Sequence, residues 1–232
     1  MLEVLNRGGE KRGRMPSSVW ASIELLVALS IIYAGLKGYA PFSSAPWLLA
    51  AAIILLWWRG PTWKEVGLRK PTSIASTVFI GVLAGVGYQF LGIYVLEPLI
   101  ARATSGQIPD VSLFRPLIGD TKQLLFWLAM TWTLAAFMEE MVYRGWILTR
   151  IAELGKFSSA SWFVAALISS ALFGAAHLYQ GVSGVISTGL SGFLFAILYL
   201  ATGRNLWASI VAHGMLDTAG FVMIYFGVYP GL

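Results

Sequence analysis

In the stretch LAAFMEEMVYRGWIL, from Leu134 to Leu148, two adjacent glutamates and an arginine interrupt sequence that is otherwise strongly apolar. The only two histidines of the chain also stand in apolar surroundings. FGAAH places Phe173 and His177 four residues apart, and HGMLD does the same for His213 and Asp217. Residues at i and i+4 share a helix face. Glu140 and Arg144 can therefore pair, and Asp217 can accept a hydrogen bond from His213 and fix its tautomer. Glu139 projects about 100° away around the helix and lacks that partner. Each element alone has a structural reading, a helix–helix hydrogen bond for a histidine or charge neutralisation for a Glu–Arg pair. Together, carboxylates and imidazoles on three convergent helices suit two chemistries: a proton or ion relay, or hydrolysis inside the membrane. Glu24, about two turns into the first apolar run, and Glu97, before Pro98 at a helix end, read as structural.

The elements that must position these residues follow from hydropathy. Of the 232 residues 57% are hydrophobic and 12% charged, about half the charged share of a soluble domain. Seven apolar runs are separated by short polar breaks. Most reach the roughly 20 residues that a helix needs to cross a bilayer, and the second does so nearly, at Pro41 to Trp58. None alternates apolar and polar residues as a membrane barrel does. The expected fold is all-α: a polytopic transmembrane helical bundle of about seven spans forming a single membrane domain over residues 1–232, with no internal repeat. Residues 1–17 form a basic cytoplasmic tail, and 122–221 hold the chemical motifs.

Arg7, Lys11, Arg12 and Arg14 precede the first run. Arg59, Lys64, Arg69 and Lys70 follow the second, Arg144, Arg150 and Lys156 the core of the fourth, and Arg204 the sixth. Lys37, Arg102, Arg115 and Lys122 fall on the other side. Basic residues stay cytoplasmic, which puts the N-terminus inside and the C-terminus outside. The net charge of +5 thus marks topology and attraction to anionic lipid, not nucleic-acid binding. The chain has no cysteine, so disulfides, thiolate zinc sites and cysteine nucleophiles are excluded. The charged N-terminus and the lack of a small-residue cleavage pattern predict a retained first span. The longest polar stretch, RATSGQIPDVSLFRPLIGDTK, is a loop outside the membrane, with VSLFRPLIG along the interface.

The motifs EEMVYR, FGAAH and NLWASIVAHGMLD match EExxxR, FxxxH and HxxxN/D in order. Over roughly Lys122 to Phe221 the chain resembles the CPBP family, which comprises type II CAAX prenyl endopeptidases, bacterial Abi proteins and related intramembrane proteases. The first three runs carry no motif of the family. The resemblance implies a glutamate-dependent intramembrane endopeptidase. In it Glu139 is the catalytic glutamate, Glu140, Arg144 and Phe173 support the site, His177 helps to hold or activate water, and His213 with Asp217 stabilises the oxyanion. Many relatives carry asparagine at the position of Asp217. A carboxylate cannot donate a hydrogen bond, so His213, oriented by Asp217, is the expected donor.

A general base in an apolar site suits this chemistry, and an oxyanion requires donors in a dry site. No metal is needed. A zinc site is the alternative, with both histidines and the carboxylates as ligands and one open position, although HExxH is absent. The non-enzymatic alternative is an immunity factor or proton-coupled carrier using the same cluster as a relay. The expected partners are the bilayer and a membrane-anchored or lipidated peptide or protein, with no nucleic acid. The expected location is a prokaryotic plasma membrane, as a multi-pass protein. One tension follows from straight spans: His177 lies near the outer end of its helix and Glu139 on the cytoplasmic side of mid-membrane, about 10 Å apart in depth at 1.5 Å per residue. A fifth helix that starts deeper, or a kinked or broken fourth, is required.

Overall fold

The computed structural model describes residues 16–40, 43–60, 62–104 and 106–232. The expected basic tail lies outside the described residues up to residue 15. Among the described residues the secondary structure is helical throughout, and seven helices coincide with the seven apolar runs. They are α1 (Ser17–Leu36), α2 (Ala45–Arg59), α3 (Ile74–Ala103), α4 (Thr121–Leu154), α5 (Ser159–Ala175), α6 (Gly181–Ala201) and α7 (Leu206–Tyr225). Short 3₁₀ turns cover Ser112–Leu117 and Leu178–Gln180. Helix starts follow local chemistry. Ser73, Asp120, Ser158 and Asn205 each accept a backbone amide of the turn that follows, satisfying donors left free at a helix N-terminus.

Five helices are long and apolar enough to cross a membrane: α1, α3, α4, α6 with its preceding 3₁₀ turn, and α7. The apolar α2 and α5 have 15 and 17 residues, short of the usual length. Side-chain placement is inverted relative to a water-soluble domain. Trp57, Trp58, Phe79 and Leu125 face outward, whereas Glu24, Glu140 and Arg144 are fully buried. Burying charge while exposing large apolar side chains costs free energy in water and is favourable in lipid. The chain is a multi-pass integral membrane protein.

Two of the helices contain π-helical stretches. In α3 the stretch Gly92–Leu96 precedes Pro98, whose missing N–H and bulky ring disrupt ordinary i→i−4 pairing. The helix runs on to Ala103, so Glu97 stands within a continuous helix instead of at its end. In α4 the stretches Thr131–Glu139 and Met141–Ile147 enclose the EEMVYR motif. The widened backbone leaves carbonyls to be satisfied from outside, and Ser169 Oγ on α5 donates to that of Tyr143 at 2.7 Å. The fourth helix is not broken: it is continuous over 34 residues and carries the motif on its π-helical stretches.

Small residues set the helix spacing. Gly81 and Gly85 of α3 press on α7, where an added Cβ would meet the carbonyls of Ala208 and Ala212, a small-xxx-small contact of membrane helices. Loops then tie the two ends of the bundle. At one end Asn205 Nδ2 donates to the carbonyl of Arg69 at 2.9 Å, and the Leu206 amide to that of Gly67 at 3.1 Å. At the other, the Asp110 amide donates to the Gln180 carbonyl at 3.1 Å, and the Gly119 amide to that of Tyr225 at 3.0 Å. The 3₁₀ turn Ser112–Leu117 does more than lie at the interface. Its Leu117 is buried against Phe221 and Ile224 of α7.

Three arginines assigned to the cytoplasmic flank by sequence belong elsewhere. Arg144 and Arg150 are buried, and Arg59 nearly so. Glu24 pairs with Arg59 at 3.0 Å, accepts from Trp146 Nε1 at 2.6 Å and lies 3.5 Å from Arg150 Nε. Glu153 pairs with Arg150 at 2.8 Å and also with Arg59. The long arginine side chains turn inward because two buried carboxylates wait there, and unpaired buried charge is far costlier than a paired one.

Candidate active site

The π-helical middle of α4, the end of α5 and the first half of α7 bring the motif residues together. Glu140 is fully buried, and its Oε1 accepts from Arg144 Nη1 at 2.8 Å, so the expected i,i+4 pair forms. The same oxygen lies 3.0 Å from His213 Nδ1. Arg144 is clamped further, donating from Nη2 to the carbonyl of Gly192 at 2.8 Å and lying over the rings of Phe173 and Phe195 at 4.4 and 5.3 Å. A Cβ on Gly192 would stand 2.8 Å from Arg144 Nη2 and 2.9 Å from Phe173, so this position tolerates no side chain without displacement.

His213 stacks on Phe195, with ring centroids 4.8 Å apart and planes at 17°. Its Nε2 faces Asp217 Oδ2 at 3.7 Å and Glu139 Oε2 at 3.9 Å. Neither is a hydrogen bond. The expected tie from Asp217 to His213 is thus replaced: Glu140, on another helix and 73 positions away in sequence, holds the imidazole from Nδ1. An i,i+4 pair shares a face, yet the closer carboxylate across the helix interface wins the ring nitrogen. Asp217 and Glu139 retain 24% and 16% of their side-chain exposure, and both open into the cavity described below.

His177 stands just past the end of α5. Its Nδ1 is 2.9 Å from the Phe173 carbonyl. A carbonyl only accepts, so Nδ1 carries the proton and Nε2 remains an acceptor. Phe173, buried between the rings of His177 and His213 at 4.9 and 5.8 Å, is the spacer that holds both imidazoles and the Arg144 plane.

A cavity of about 1140 Å³ connects these groups. Glu139, His177, His213 and Asp217 line it, with Tyr143 and Phe173 on its wall. Sequence reasoning missed how much else it gathers. Glu97, 7% exposed, lines it beside Tyr88 and Gln89, although it read as a structural residue. Ion pairs of Glu97 are lacking among the described residues. Also among these, no three His, Cys, Asp or Glu side chains are arranged to hold a metal ion.

The sequence model described as Rce1-like, type II CAAX prenyl endopeptidase Rce1-like, matches residues 121–219. That segment begins with α4 and ends in α7, and it contains Glu139, Glu140, Arg144, Phe173, His177, His213 and Asp217. No match was found among curated proteins or solved structures. The match agrees with the resemblance to the CPBP family carried by the three motifs: residues 121–219 are similar to the type II CAAX prenyl endopeptidases of the Rce1-like group.

Proposed function

We propose that the chain is an intramembrane endopeptidase in which Glu139 activates water for attack on a peptide bond of a membrane-anchored or lipidated substrate. The observation that carries this reading is the division of labour between neighbouring glutamates. Glu140 is consumed by Arg144 and His213, whereas Glu139 faces the cavity without a hydrogen-bond partner among the described residues. A general base must be free to take a proton and within reach of water.

In this reading water sits between Glu139 and Nε2 of His177, which accepts a hydrogen bond from it. Glu139 removes a proton as the water oxygen bonds to the scissile carbonyl carbon. The carbonyl oxygen becomes an oxyanion near His213. With Nδ1 donating to Glu140, His213 can donate from Nε2 only when both its nitrogens carry protons, and the surrounding carboxylates compensate that charge. Collapse of the tetrahedral species breaks the C–N bond, and Glu139 returns its proton to the leaving amine. Stabilising such an oxyanion with one preorganised donor contributes about 10²–10³ in rate. The mechanism uses no metal.

A carrier would need the cluster to reach both ends of the bundle. The cavity is lined from one end only, and α4 presents wholly buried side chains from Glu140 to Arg150 toward the other. This supports hydrolysis over transport.

The test compares purified wild-type protein with Glu139→Gln on a membrane-anchored substrate, with and without prolonged chelation. The expected result is loss of cleavage in the variant, by about 10²–10⁴ for a general base, with unchanged thermal stability and with chelator-resistant wild-type activity. A cleaving Glu139→Gln enzyme, or stoichiometric zinc with chelator-sensitive activity, overturns the reading.

A further inference from the structure

We propose that the catalytic cavity is loaded from the non-cytoplasmic side of the membrane, so that the scissile segment of the substrate lies on that side. The identity of the substrate as a peptide chain rests on the proposed hydrolase; the direction of the opening does not.

The first observation is geometric. The bundle has two knitted ends. One carries the connections α2–α3, α4–α5 and α6–α7, and the other carries α1–α2, α3–α4, α5–α6 and the segment after α7. The cavity reaches only the second end, through Ser43, Pro109, Val111, Tyr179 and Tyr229. None of its lining residues comes from the loops of the first end. Below Glu139 the bundle is sealed. Every residue of α4 from Glu140 to Arg150 is buried, and Glu24, Arg59, Arg150 and Glu153 close the helices against one another beneath it.

The second observation is charge. Arg144 belongs to the site, and Arg59 and Arg150 are tied to Glu24 and Glu153. Setting these three aside, the sealed end still has Lys64, Arg69, Lys70, Lys156 and Arg204, and Arg7, Lys11, Arg12 and Arg14 precede α1 in sequence. The open end has Lys37, Arg102, Arg115 and Lys122, with Asp110 and Asp120 among them. The orienting bias counts Lys and Arg close to the ends of spans. Nine against four puts the sealed end in the cytoplasm and the cavity mouth outside. A lipidated or helically anchored chain displayed on that face can lower its polar flank into the mouth while its anchor stays in the bilayer. A cytoplasmic tail would meet only the sealed floor.

The chain contains no cysteine, so single cysteines report sidedness directly. Thr72→Cys marks the sealed end and Ser112→Cys the open one; both positions are exposed and neither lies in the catalytic cluster. Intact cells carrying each variant in the plasma membrane are treated with a membrane-impermeant maleimide, with detergent-permeabilised cells as the reference for total thiol. The expected result is full labelling of Ser112→Cys in intact cells and none of Thr72→Cys until permeabilisation. Labelling of Thr72→Cys alone, or of both equally, overturns the proposal. Labelling does not depend on cleavage. A failed Glu139→Gln test therefore leaves the orientation standing, and a reversed labelling pattern leaves the hydrolase reading standing.

Discussion

α4 carries two buried charge clusters. Toward its C-terminus, Arg150 and Glu153 join Glu24 of α1 and Arg59 of α2. All four carboxylate oxygens of that cluster have a cationic or N–H partner, and two acids meet two arginines. One span of helix earlier, Glu139, Glu140 and Arg144 meet His213 and Asp217. Here Arg144 and one nitrogen of His213 converge on a single oxygen of Glu140, and Oε2 of that glutamate is left without a partner. Glu139 and Asp217 are left to the cavity. The first cluster is neutral and closed; the second has more carboxylates than fixed cations and is open on one side. Burial of charge alone therefore does not identify a site. A surplus of unpaired groups facing a cavity does.

The comparison can be broken by removing one charge from each cluster. Deleting one partner of a buried pair costs about 3–5 kcal/mol because the other charge is left uncompensated. Glu24→Gln should lower thermal stability by that order while the remaining folded protein cleaves at the wild-type rate. Arg144→Ala should lose similar stability and activity together, since Arg144 holds Glu140 and Glu140 holds His213. The double change Glu140→Gln with Arg144→Met should regain part of the stability and none of the activity. A thermal melt and a cleavage assay on the three variants decide this, and equal loss of specific activity in Glu24→Gln would erase the distinction.

Asp217 sharpens the open half. It makes no hydrogen bond to His213, so its removal should leave the fold intact. Asp217→Asn keeps a polar group that can donate to an oxyanion and should retain measurable cleavage. Asp217→Ala should cleave more slowly than Asp217→Asn without a shift in melting temperature, because it removes the carboxylate that faces His213 Nε2 at 3.7 Å and puts no donor in its place. Matching rates for the two variants would confine the oxyanion contacts to His213.

The smallest effect is steric. Gly192→Ala forces a methyl against Arg144 and Phe173, and overpacking of this kind costs about 1–3 kcal/mol. The expected result is a modest drop in melting temperature with a larger relative loss of cleavage, because Arg144 is pushed off the Gly192 carbonyl. Gly189→Ala, on the same helix with its nearest neighbour at an ordinary 3.6 Å, is the matched control and should change neither.

The motif residues were legible because ionisable groups in apolar runs are costly and few. The Glu140–Arg144 pair followed from helical spacing, and so did the freedom of Glu139. The closed cluster was only half legible. Arg150 and Glu153 stand three apart on one helix, but Glu24 and Arg59 come from helices whose contact no local pattern announces. Counting Arg59 and Arg150 as loop charges was the consequence. Glu97 was misplaced because Pro98 reads as a helix end, whereas a π-helical stretch before it lets α3 continue.

The sequence by itself determined that the chain is helical and membrane-embedded, which few ionisable residues stand in its apolar runs, and that Glu139 lacks a partner on its own helix. These are properties of composition and of periodicity along one strand of chain. Only the tertiary structure decided which carboxylate holds His213, that two arginines of the flank are buried, and that the cavity is sealed toward one end of the bundle. Each of those depends on distances between helices. Such distances are set by glycine contacts, a widened turn in α4 and competition among acids for the same donor, none of which is encoded at fixed spacing in the chain.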